Sequence, residues 1–60
     1  MDINARIKIM NYICKNEFVS PEFQDVGLSY TEILNICEYL TNIGVLRKRN
    51  CTGLAYEFNK

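Results

Sequence analysis

The sequence predicts one small α+β domain, mainly α, with three helices followed by a C-terminal two-stranded β-hairpin. Apolar residues recur at helical three- and four-residue steps over 2–16 and again over 29–43. Gly27 and Gly44 interrupt that pattern where helices would stop. After Gly44 the period falls to two on either side of a polar, glycine-containing turn.

The first helix is predicted over 2–16. Asp2 is its expected N-cap, accepting from free N–H groups of the first turn. Ile3, Ile7, Met10, Ile13 and Cys14 form one stripe, expected to face the core, with Arg6, Lys8, Asn11 and Lys15 off it. Ile9 and Tyr12 also fall off that stripe and are expected to widen the apolar face or to meet a partner. Phe18 and Val19 follow and should pack inward. Ser20-Pro21 then reads as cap plus first helical residue and predicts a short second helix over 20–26, with Phe23 and Val26 as its apolar contacts. Gly27 ends it and supplies a positive φ for the turn. Ser29-Tyr30-Thr31-Glu32 has the capping-box pattern and opens a third helix over 29–43. Its inward side is Ile33, Ile36, Cys37, Leu40 and Ile43 or Gly44. Strands follow at 45–49 and 54–58, joined through Asn50-Cys51-Thr52-Gly53, with Leu54, Tyr56 and Phe58 on one apolar face.

Sixty residues beginning at Met read as a single domain spanning 1–60. A chain this short buries only about 60% of its unfolded surface, so dimerisation or docking on a larger protein would add needed burial. The apolar share of 48% and charged share of 23% are those of a folded globular domain. Net charge is zero, without the basic excess usual in nucleic-acid binders. Cys14, Cys37 and Cys51 include no Cys-x-x-Cys pair and His is absent, so no metal site is expected. Cys14 and Cys37 fall on apolar faces and are expected to be buried small hydrophobes in a reducing cytoplasm. No apolar run reaches the length of a membrane span, no basic-then-apolar leader is seen, and a cytoplasmic location is expected. No nucleophile–base pattern, phosphate loop or cofactor motif is present, which points away from an enzyme and from a cofactor.

Helix, short helix, a Val26-Gly27-Leu28-Ser29 turn, a longer helix, Gly44 and a basic hairpin together resemble the winged helix-turn-helix family of small bacterial and phage-type regulators. In that family a leucine-glycine-leucine-serine-like turn precedes the recognition helix and a glycine closes it; Ser29 and Gly44 keep that spacing. The resemblance implies a transcription regulator, dimeric, binding double-stranded DNA. Tyr30, Thr31, Leu34, Asn35 and Glu38 would then face the major groove, and Arg47, Lys48 and Arg49 would be the phosphate contacts of the wing.

The charge pattern supplies an alternative. From Asn16 to Leu46 there is no Lys or Arg, but there are Glu17, Glu22, Asp25, Glu32 and Glu38. Such an acidic, apolar third helix suits a protein-interaction module, an accessory subunit or inhibitor, docking through Ile9, Tyr12, Leu34 and Glu38. In that reading Arg47-Lys48-Arg49 is a charged edge strand that blocks aggregation.

Overall fold

The computed structural model describes residues 3–49 and 53–59. The chain is mainly helical: α1 (Ile3–Asn16), α2 (Tyr30–Asn42) and an antiparallel pair, β1 (Leu46–Lys48) and β2 (Tyr56–Phe58). The expected cap Asp2 and the expected turn residues Asn50, Cys51 and Thr52 lie outside the described residues.

The expected helix over 20–26 does not form. Only a single 3-10 turn, Gln24–Val26, occupies that stretch. Ser20 does not act as a helix cap. Its Oγ accepts from the Glu22 N–H at 3.3 Å, and its carbonyl accepts from the Phe23 N–H at 2.9 Å, closing a local turn. Between Ser20 and Gly27 too few residues remain to offset the cost of nucleating an α-helix. Phe23 and Val26 still pack on the core from this turn, as expected.

The described part of α1 matches its expected span, but its buried face differs. Ala5, Ile9 and Ile13 point inward, and Ile9 is fully buried. Ile3 and Ile7, expected inside, are 58% and 49% exposed, and Cys14 is exposed as well. The helix carries two adjacent apolar faces, and the fold uses the one centred on Ile9. Tyr12 is half-buried, its ring 5.7 Å from that of Phe23. Ile9 and Tyr12 therefore belong to the internal packing, and Ile9 offers nothing to a partner.

Just past α1, Glu17 takes φ 75° while its N–H bonds to the Ile13 carbonyl at 2.7 Å. A side chain in this left-handed region is strained by roughly 1–2 kcal/mol, and glycine is not. Glu17→Gly is expected to raise stability by about 0.5–1 kcal/mol, read from urea unfolding midpoints; a lower midpoint would contradict the strain.

Both ends of α2 form as the sequence predicts. Ser29 Oγ accepts from the Glu32 N–H and Glu32 Oε1 accepts from the Ser29 N–H, each at 3.2 Å, completing the capping box. At the other end Gly44 adopts φ 88°. The Val45 N–H reaches the Leu40 carbonyl at 2.9 Å and the Gly44 N–H reaches that of Thr41 at 3.1 Å, the two bonds of a Schellman stop. Ile33, Ile36, Cys37 and Leu40 are buried as expected, whereas Ile43 lies 52% exposed beside the stop.

The hairpin register pairs Leu46 with Phe58, Arg47 with Glu57 and Lys48 with Tyr56. Single bonds at each end, Asn59 N–H to Val45 O and Arg49 N–H to Ala55 O, extend the ladder close to its predicted span. The expected alternation on the second strand fails at its start: Leu54 is exposed and Ala55 buried. On its other edge β2 meets Val19, which exchanges both backbone hydrogen bonds with Tyr56, at 2.9 and 2.8 Å. This bridge ties the hairpin to the segment after α1. Val19, Leu46 and Tyr56 close the core together with α1 and α2.

Candidate recognition surface

Residues 30, 31, 34, 35 and 38 share the side of α2 roughly opposite its buried residues, as their three- and four-residue spacing requires. Tyr30, Thr31 and Asn35 are exposed; Leu34 and Glu38 are half-buried. The box-capped N-terminus fixes the first turn of this face, so Tyr30 and Thr31 stand on a rigid element. The face carries no cation.

Behind it lies the phenol of Tyr56, whose hydroxyl is buried with no hydrogen-bond partner. Burial, and then the charge of the nearby Glu38 carboxylate, pushes its pKa up to about 12. Glu38 is near enough to act through its charge, but its carboxylate does not meet the hydroxyl in bonding geometry. The same two causes push the Cys37 thiol up to about 12, leaving it a protonated core residue.

At the N-terminal end of α2 an apolar cleft of about 230 Å³ opens between Phe18, Pro21, Phe23, Tyr30, Leu54 and Ala55. It places the return strand of the hairpin next to Tyr30. Phe18 and Phe23 pack with ring centroids 5.5 Å apart and their planes tilted by 59°, and the Arg49 guanidinium lies 4.5 Å from the centre of the Phe18 ring.

The three expected wing cations do not act as one patch. Side chains alternate along a strand, so Arg47 and Arg49 point to one side of the hairpin and Lys48 to the other. Arg47 reaches Glu57 Oε2 with Nε at 2.8 Å and with a terminal guanidinium nitrogen at 2.7 Å. Arg49 Nε lies 3.6 Å from Glu57 Oε1. Both guanidiniums thus share one carboxylate. They line a groove of about 510 Å³ with Cys14 and Glu17 at the end of α1. Lys48 is exposed.

Glu57 is a site residue that no sequence motif marks. Its signal was available: in a hairpin centred on 50–54, position 57 falls opposite Arg47. The other cations divide similarly. Arg6 sits 5.8 Å from the centre of the Tyr39 ring, while Lys8 and Lys15 line a shallow surface pocket that Asp25 also borders. Among the described residues no group of three or more His, Cys, Asp and Glu is placed to hold a metal ion, and no helix is long and apolar enough to cross a membrane. Comparison with known proteins finds no matching family model, no matching curated protein and no matching solved structure.

Proposed function

We propose that this chain is a winged-helix-type DNA-binding regulator in which α2 is the recognition helix and the hairpin the wing. One observation carries the reading: α2 is held between α1 and β1, with Tyr30, Thr31 and Asn35 bare on its outward side beside the returning strand of the hairpin. A helix held on one side and uncovered on the other is what major-groove insertion needs. The 3-10 turn takes the place of the family's second helix. The Val19–Tyr56 bridge supplies the short extra strand contact that fastens a wing to its helices.

In this reading Asn35 pairs with an adenine edge, and Thr31 and Tyr30 bond phosphate oxygens. Lys48 is a ready phosphate contact, while Arg47 and Arg49 must leave Glu57 to become so. Thr31→Ala with Asn35→Ala, both at exposed positions, should weaken binding to the preferred duplex by at least tenfold while circular dichroism stays unchanged. Equal affinity would exclude α2 as the reader. Glu57→Gln frees two guanidiniums and should tighten binding to any duplex, with a steeper salt dependence; unchanged affinity would remove Arg47 and Arg49 from the interface.

A second reading is favoured by two facts together: Arg47 and Arg49 are engaged by Glu57, and the outward face of α2 carries no cation. In it, the same face docks on a protein. Tyr30→Ala with Leu34→Ala then abolishes partner binding, and alanine at Arg47, Lys48 and Arg49 does not.

A further inference from the structure

The groove of about 510 Å³ between the end of α1 and the hairpin carries charges that its own contacts leave incompletely paired. Its charged lining, among the described residues, is Arg47, Arg49, Glu17 and Glu57, so the formal charges cancel. Glu57 is spent mainly on Arg47, whose Nε and terminal nitrogen reach Oε2 at 2.8 and 2.7 Å. Arg49 keeps only the 3.6 Å contact to Oε1, too long for a hydrogen bond. Glu17 has no ion-pair partner among the described residues. A guanidinium without a hydrogen-bonded acid and a carboxylate without a cation therefore line the same groove. Arg47 also has more N–H donors than Glu57 uses. Glu17 stands on backbone of φ 75°, where a side chain is strained, and strain of that kind collects at ligand sites. Ile13 and Phe58 give the groove an apolar wall.

We propose that this groove binds a small zwitterion, an apolar α-amino acid. Its carboxylate lies against Arg49 and the remaining N–H groups of Arg47, its ammonium against Glu17, and its side chain against Ile13 and Phe58. The charge pattern selects this class. A simple anion would meet Glu17 and Glu57 as well as the guanidiniums, and a simple cation would meet Arg47 and Arg49. A ligand carrying both signs answers both at once. The neighbouring cations do not tip the balance: Lys15 borders a different pocket, and Lys48 points to the opposite side of the hairpin. The groove volume falls in the range of small-molecule sites. Glu17 and Arg47 are exposed, so the contacts are made in water and the dissociation constant is about 1 mM.

No residue of α2 lines the groove, and the test contains no DNA, so this site and the DNA-binding reading can fail separately. The isotope-labelled chain is titrated with L-leucine to about 10 mM and followed by amide and Arg Nε–H NMR shifts. Saturating shifts are expected around 13–17, 47–49 and 57–58. N-acetyl-leucine, without the ammonium, and leucine methyl ester, without the carboxylate, should each bind at least about tenfold more weakly. Glu17→Gln and Arg49→Gln should weaken leucine binding by a similar factor with the helical spectrum retained, and Lys48→Gln should leave it as in the wild type. No saturable shift with leucine overturns the proposal. So does equal binding of either blocked derivative, or a folded Glu17→Gln variant that binds as before. If Arg49→Gln fails to fold, the exposed Glu17 position and the blocked derivatives read the same contacts with the same two outcomes.

Discussion

Ile9→Ala is expected to destabilise the domain by about 2–5 kcal/mol, the range for truncating a buried aliphatic side chain. Ile9 has no exposed surface and sits in the core with Ile13, Val19 and Ile33. Domains of this size carry only a few kcal/mol of net stability, so the variant should be largely unfolded near physiological temperature. Ile7→Ala, two positions away, removes the same side chain from a half-exposed site and should cost far less in dilute solution. Urea midpoints for the pair decide which face of α1 is inside. Equal losses, or a larger loss at Ile7, would contradict the observed helix orientation.

The second large effect is alkaline unfolding. The fold holds Cys37 and Tyr56 protonated, raising their pKa values from 9.0 and 10.0 to about 12 in both cases. The unfolded chain releases these protons at lower pH than the folded chain does. Their contribution is therefore whole below about pH 9 and is lost as pH rises from there to 12. Denaturant midpoints should be flat with respect to these groups below pH 9 and fall steeply above it. Tyr56→Phe should leave the onset near pH 9 to Cys37 and make the fall above about pH 10 shallower, and should also gain about 1 kcal/mol near neutrality by removing a buried hydroxyl that lacks a partner. Stability that stays level through pH 11 would contradict the burial of both groups.

The elements legible in the sequence were those specified by local chemistry. The capping box at Ser29 and Glu32 and the left-handed stop at Gly44 depend on residues within a few positions of each other, and both formed as expected. The inward side of α2 was also legible, because its apolar residues form a single face. On α1 two apolar faces adjoin, and choosing between them depends on what α2 and the hairpin present, which periodicity does not carry. The Ser20-Pro21 signal was overridden by a shorter-range hydrogen bond from the Glu22 N–H to Ser20 Oγ. The Val19 bridge is a single residue pair and leaves no repeating pattern to detect. At the candidate site, the exposure of Tyr30, Thr31 and Asn35 agrees with their helical spacing, while the capture of Arg47 and Arg49 by Glu57 depends on the hairpin register.

DNA binding itself is tested most directly by titrating the purified chain against labelled random-sequence duplex at about 50 and about 200 mM salt, followed by fluorescence anisotropy. A DNA-binding α2 and hairpin should give measurable affinity at the lower salt that falls severalfold at the higher, in proportion to the few phosphates contacted. No binding at the lower salt up to about 10⁻⁴ M protein, the weak end of non-specific affinity, would contradict it and leave the α2 face as a protein-docking surface.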